Sequence, residues 1–295
     1  MAMILNQPNI KHRGVVLLML LLSHLCHLPE VRAGEGQNKE RPRRVISLSP
    51  SNTELLFAIG GQDHLVGRTN RCDFPAAAAK IKSVGSLFPP DFERIIAERP
   101  DLIIMSDGNL KTRDKLRTLG VEVMVIHPRK VADIAKSMRR LGQALHRSHA
   151  ADAIADKFEQ DLRGMTATSI NSEKVMYEVW HKPLMIPGPQ TFLADIIRRA
   201  GGQPMKTTIA GDWPRVDLEW AISQNPTLIL TQSPKRRRYY LNEKAPWRAV
   251  NAVRQNRVYT VPDESHFIRP GPRVLEAIAW LRTILNSKAN ANEKD

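Results

Sequence analysis

Two cysteines are all that the 295 residues contain, and only Cys72 lies beyond the first 33 positions. With a single cysteine in the body of the chain, no internal disulfide is possible, even in an oxidising compartment. The usual marks of a metal site are missing as well. There is no His-Glu-x-x-His, and His181, His266 and Cys72 each stand without short ligand spacing, so no dedicated metal site is expected. Neither a Gly-x-Ser-x-Gly elbow nor a Gly-rich phosphate loop occurs, which removes common signatures of hydrolases and nucleotide enzymes. Ser49 and Ser51 sit beside a predicted strand end with no evident base. The expectation is a protein that is not an enzyme.

A membrane span needs roughly 18–20 uninterrupted apolar residues. The apolar run from Val15 to Leu22 stops at Ser23, His24, Cys26 and His27. Lys11 and Arg13 precede it, and Val31-Arg32-Ala33 follows, so residues 1–33 read as a signal peptide cut after Ala33. Leu25 is too bulky for a lipoprotein cut before Cys26. Export to the periplasm follows. A formal net charge of +14 suits an anionic ligand, a membrane surface or nucleic acid, and export weighs against nucleic acid. Residues 34–44, carrying Arg41, Arg43 and Arg44, read as a flexible lead-in.

Beyond that lead-in the chain repeats itself. Glu93-Arg94-Ile95-Ile96-Ala97-Glu98-Arg99-Pro100 returns as Glu219-Trp220-Ala221-Ile222-Ser223-Gln224-Asn225-Pro226, and an apolar run follows each proline. Each copy reads as a short helix stopped near its proline, then a buried strand. A second echo links Thr53 to Gly60-Gly61 with Thr191 to Gly201-Gly202, two helix-like segments ended by Gly-Gly. Val45 to Ser49 predicts a strand, and Ser51-x-x-Glu54 matches a capping box opening the next helix. Strands alternating with helices point to parallel sheet. The reading is a first α/β lobe at 45–130, a helical spacer at 131–172, a second lobe at 173–288 and a tail at 289–295. Two similar lobes suggest a site between them.

Five blocks, in order and at suitable spacing, carry a wider likeness: Val45 to Glu54, Glu93 to Ile104, Tyr177-Glu178-Val179-Trp180, Ala200-Gly201-Gly202 and Arg269-Pro270-Gly271-Pro272-Arg273. Together they resemble the family of periplasmic substrate-binding proteins for vitamin B12, haem and iron-siderophores, which serve ABC importers. The resemblance implies a class III architecture: two Rossmann-like lobes with central parallel sheets, joined by a long interdomain helix. It implies a corrinoid-type ligand in the cleft, with haem or ferric siderophore as the alternative. Such a ligand brings its own cobalt or iron, and no other cofactor is implied. The implied partner is a permease dimer with its ATPase, whose arginines would meet one surface acid from each lobe, here Glu93 and Glu219. A carboxylate at a helix start is favoured by the helix dipole, and two such anions suit a two-fold cationic partner. The plainer reading makes both merely dipole-complementing surface acids.

Ligands of open α/β sheets lie beyond the carboxyl ends of the strands. That rule nominates Ser49 to Asn52, Asn70 to Asp73, Ser106 to Asn109, His181, Gln232 to Arg238 and Ser265 to Arg269, and from these Ser51, Asn70, Cys72, His181, Arg236, His266, Phe267 and Arg269 are taken as ligand candidates. Trp213, six residues before Glu219, matches a tryptophan that packs on the ligand in family members that bind B12; a core position is its other reading. Those members carry aromatics where this chain has Leu87 and Ser106. Phe88 replaces the first by a one-residue shift, and the second is lost. Arg269 matches a ligand-facing arginine, or else anchors the turn at Pro270-Gly271-Pro272. The run Lys235-Arg236-Arg237-Arg238 reads as a loop, either attracting an anionic ligand or simply solvated. His181, His266, Cys72 and Tyr177 are the candidate axial ligands for a bound metal. A periplasmic hydrolase and a lobe-paired sensor are the competing readings.

Overall fold

The computed structural model describes residues 43–86, 88–108, 110–165 and 173–287. The expected signal peptide and its cut, the lead-in up to residue 42, Leu87, Asn109, residues 166–172 and the tail at 289–295 lie outside the described residues. In the first lobe, Val45–Ser47 (β1), Leu65–Arg68 (β2), Leu102–Met105 (β3) and Glu122–Val125 (β4) form a parallel sheet in the order β2-β1-β3-β4. In the second, Lys174–Tyr177 (β5), Gln203–Pro204 (β8), Leu228–Thr231 (β9) and Val258–Thr260 (β10) form a parallel sheet in the order β10-β9-β5-β8. A small antiparallel hairpin, Trp180–His181 (β6) and Leu184–Met185 (β7), stands apart from it. Counted within each lobe, both sheets run second, first, third, fourth. The duplication read from sequence is thus present in the topology. Strands β1, β3 and β9 are buried at every residue, as expected for parallel strands covered on both faces.

The helices of the first lobe are Pro50–Ala58 (α1), Phe92–Ala97 (α2) and Leu110–Thr118 (α3); the spacer holds Asp133–Ala144 (α4) and Ser148–Gly164 (α5). The second lobe has Phe192–Arg199 (α6), Leu218–Ser223 (α7), Pro234–Tyr240 (α8), Asn251–Arg254 (α9), Glu264–Ile268 (α10) and Val274–Ser287 (α11). The repeat extends to the ends of these helices. After α1, Gly60 takes φ +70° and the Gly61 amide returns to the Leu56 carbonyl at 2.8 Å; after α6, Gly201 takes φ +100° and the Gly202 amide returns to the Ile197 carbonyl at 2.9 Å. Both are the same left-handed C-cap. Helices α2 and α7 also match. Asp91 and Asp217 cap them, accepting from the Arg94 and Trp220 amides, and Arg99 and Asn225 turn left-handed just before the two prolines.

Three local expectations are revised. Ser51 does not cap α1: the helix starts at Pro50 behind Ser49, because proline has no amide to lose and its φ suits a first turn. Arg43 and Arg44 are not loose lead-in. Arg43 pairs with Glu122, and Arg44 donates to the carbonyls of Glu98 and Arg99, filling acceptors left bare at the end of α2. Finally, Lys235 to Arg238 lie in α8 rather than a loop, with the Ser233 hydroxyl accepting from the Arg236 amide.

The connection contains the expected long helix, α5, with α4 folded against it. Helix α4 buries Ile134, Met138 and Leu141, and α5 buries Ala155, Phe158 and Leu162. One cluster of buried side chains runs from Val45 and Leu55 through Met138 and Phe158 to Tyr177 and Leu281, so the lobes share a core. Helices α4 and α5 pack tightly at Gly142, where an added Cβ would collide with the Ala151 Cβ. Gly142→Val is therefore expected to destabilise the protein by about 1–3 kcal/mol through overpacking, read as a lower midpoint in urea unfolding. An unchanged midpoint would show that the pair is loosely packed there.

Candidate functional site

The strand order places a switch point between β1 and β3, and again between β5 and β9. Chain leaving those carboxyl ends lines two adjoining hollows of about 610 Å³ each. From the first lobe come Ser49 and Ser51 after β1, Ser106 and Asp107 after β3, and His127 after β4; from the second come Trp180 after β5 and Gln232 after β9. The hollows share Ser106, His127, Glu264, Ile268 and Pro270, so they form one cleft between the lobes.

Two tryptophans face the cleft. Trp213 is 45% exposed and Trp180 55%, unusual for a side chain whose burial is so favourable. Trp180 is held by its indole N–H, which donates to the Lys182 carbonyl at 3.0 Å. Beside them lie polar groups in fixed pairs. His127 Nδ1 is 3.1 Å from Asp107 Oδ1, and Arg129 makes two 2.8 Å contacts to Asp212 across the lobes. Burial pushes the Glu264 carboxyl above its ordinary value, against the pull of the nearby Arg269 charge.

One edge of the cleft is clasped by charge. Glu54, buried in α1, receives Arg273 Nη2 at 2.6 Å and Nε at 2.9 Å, and Arg269 Nη1 at 3.2 Å. Arg269 also reaches Asp73 at 2.6 Å, and the Arg273 guanidinium lies 3.8 Å from the centre of the Phe74 ring. Both arginines belong to the second lobe, whereas Glu54, Asp73 and Phe74 belong to the first. Removing one partner of a buried pair costs about 3–5 kcal/mol, since the survivor is left uncompensated.

Several of the expected ligand residues gather here and others do not. Trp213, Phe267, Ser51 and Arg269 border the cleft. Phe267 is only 1% exposed, packed on Tyr177 and Trp280 at 5.8 Å each, and the Arg269 guanidinium is committed to Glu54 and Asp73. Arg269 is thus an anchor across the lobes, beyond its own turn. Arg236 and His181 border side hollows of the second lobe instead. Asn70 is turned to Ser83, and His266 lies between Asp263 and Glu276. Phe88 is 58% exposed and borders neither hollow of the cleft. Cys72 and Tyr177 are fully buried, the thiol 3.2 Å from the Thr69 hydroxyl. Burial pushes the Tyr177 hydroxyl far up. None of the four candidate axial ligands therefore borders the cleft. His127, Asp107, Trp180 and Glu264 do, and they were not singled out as ligand residues in the sequence. The strand-end rule had marked the segment of Asp107, and the same rule applied to β4 would have reached His127.

Glu93 and Glu219 are exposed at equivalent positions, two residues after the capping aspartates. Among the described residues neither has a side-chain partner.

The family model described as "Periplasmic binding protein" matches residues 45–265. This chain belongs to the periplasmic binding protein family. The vitamin B12-binding protein of Vibrio parahaemolyticus serotype O3:K6 (strain RIMD 2210633) is 27% identical over 267 residues, covering 88% of this chain and 95% of that protein. Among solved structures, the periplasmic vitamin B12-binding protein of Vibrio cholerae aligns with a TM-score of 0.74 at 24% identity, over 83% of this chain and 97% of that one. A periplasmic haem-binding protein from Pseudomonas aeruginosa aligns with a TM-score of 0.71 at 22% identity, over 83% and 92%. Both likenesses place this periplasmic binding protein in the same fold.

The charged clasp makes acid stability a test of the geometry. The Arg269 hydrogen bond holds the Asp73 carboxyl below its ordinary 3.8. A depressed carboxyl contributes stability above its unfolded value and loses it as pH falls through the folded one. Asp73→Asn should therefore be less stable near neutral pH and show a shallower acid dependence below pH 3.8. Superimposable acid-unfolding curves for variant and parent would show that the pair contributes nothing.

Proposed function

We propose that this protein is the solute receptor of an ABC importer, holding a corrinoid-type ligand between its lobes and presenting Glu93 and Glu219 to the permease dimer. The observation that carries the reading is the pairing of two equivalent halves: sheets of identical strand order, each offering one exposed glutamate behind a capping aspartate, around a cleft that holds two tryptophans of the second lobe. Trp213 and Trp180 supply flat apolar faces for a macrocycle. A relative over most of the chain is named as a vitamin B12-binding protein, which supports cobalamin first.

The same cleft favours a second ligand on one specific ground. His127 has Nδ1 held by Asp107, the arrangement that orients an imidazole and leaves Nε2 as a metal ligand. A haem or a ferric siderophore is the ligand that would use it.

Titration with cyanocobalamin, haemin and ferric chelates, followed by tryptophan fluorescence, decides between them. Trp213→Ala should weaken the ligand that binds by about 2 kcal/mol, roughly thirtyfold; undiminished affinity would remove Trp213 from the site. If haemin binds, His127→Ala should change the absorbance of the bound haem, and an identical spectrum would exclude ligation by His127. The double reversal Glu93→Arg with Glu219→Arg should abolish uptake through the cognate permease while ligand affinity stays at the parent value. Normal uptake by that variant would refute the docking assignment.

A further inference from the structure

The second lobe carries more hollows behind the β6–β7 hairpin. One of about 670 Å³ is bordered by His181, Lys182, Arg215, Arg236, Tyr239 and Trp247, among others. A smaller one of about 400 Å³ shares Trp180, Gln232 and Glu264 with the cleft, and His181 and Arg236 with the larger hollow. The three are therefore linked in sequence around Trp180 and His181, leading from the cleft to the basic helix α8.

The charges along this passage are unevenly spent. Glu178 is buried and fully occupied: it accepts from Arg236 Nε at 2.8 Å and Nη2 at 2.9 Å, and from the Tyr240 hydroxyl. Asp217 caps α7 by accepting from the Trp220 amide at 2.6 Å. Glu264, where the passage leaves the cleft, is the remaining acid and is pushed toward its neutral form by burial. Against these, Lys182, Arg215 and Lys235 border the passage, are exposed, and among the described residues have no side-chain partner. The buried indole N–H of Trp247, which borders the larger hollow, also has no hydrogen-bond partner among the described residues. The Arg236 guanidinium lies over the Tyr239 ring at 4.3 Å, so the passage has an aromatic wall as well as donors.

We propose that this passage is an anion annex to the cleft, receiving a carboxylate or phosphate borne on a side arm of the ligand whose body lies against Trp213 and Trp180. Unspent cations around a concave, partly apolar wall concentrate field and favour charge-assisted hydrogen bonds to an oxyanion. Arg236 serves as the rigid member, fixed by Glu178, while Lys182, Arg215 and Lys235 are free to close on the group. This deepens the proposed function and rests on a tetrapyrrole ligand in the cleft.

The test compares the parent with a triple variant, Lys182→Gln, Arg215→Gln and Lys235→Gln, all exposed positions whose side chains have no partner among the described residues. Four probes are titrated: haemin and its dimethyl ester, which lacks free carboxylates, and cyanocobalamin and dicyanocobinamide, which lacks the phosphodiester. The variant should lose about tenfold or more in affinity for the member of the binding pair that carries the carboxylate or phosphodiester, and little for the counterpart that lacks it. The pair that shows the split identifies carboxylate or phosphate as the group. Equal affinities for both members, in parent and variant alike, overturn the annex. A second measurement needs no cleft ligand: inorganic pyrophosphate should shift the Trp247 indole N–H resonance saturably in the parent and not in the variant. If none of the four probes binds, the tetrapyrrole reading falls, whereas absence of a pyrophosphate shift overturns the annex by itself.

Discussion

Parallel strands cannot be joined by tight turns, and each must be followed by a crossover that returns the chain to the same starting edge. All the loops that leave the sheet therefore collect at one edge. In this protein both sheets obey that constraint with the same strand order, and the two loop-bearing edges face each other across the cleft. The polar residues after β1, β3 and β4 and the aromatic and acidic ones after β5 and β10 come together for that reason alone. No special local signal is needed to assemble them.

What holds the edges in register is a mixture of apolar and ionic contact. The shared core through α4 and α5 supplies the bulk of the cohesion, since burial of apolar surface is the largest favourable contribution to folding. The Glu54 knot with Arg269 and Arg273 contributes direction rather than bulk. Desolvating three charges is expensive, and such groups are retained where they specify an arrangement. Here the arrangement specified is the relation of one lobe to the other at the cleft edge, with Arg129 and Asp212 as a second brace.

Much of the fold was legible because its signals are local. A proline after a left-handed residue, or Gly-Gly closing a helix, constrains backbone within a few positions, and Arg99-Pro100, Asn225-Pro226, Gly60-Gly61 and Gly201-Gly202 all behave accordingly. The strand-end rule likewise led to the segments of Ser106, Gln232 and Ser265, which border the cleft. What stayed hidden depends on partners far away in the chain. Arg236 turns inward because Glu178, 58 residues earlier, waits for it. Cys72 is taken inside, its thiol reaching the Ser47 carbonyl 25 residues earlier. The apparent capping box failed because Glu54 has its partners more than 200 residues on. Whether the residue just past a strand looks into the cleft or away from it is likewise set by the exact end of the strand.

The core that passes without a break from one lobe to the other bears on how such a receptor can be rebuilt. A half expressed alone would leave the apolar faces of the spacer helices without their counterpart and invite aggregation. Chimeras that exchange ligand preference between relatives must therefore transplant loops from the facing edges onto an intact scaffold, because whole-lobe exchange cuts through the interior that both lobes inhabit.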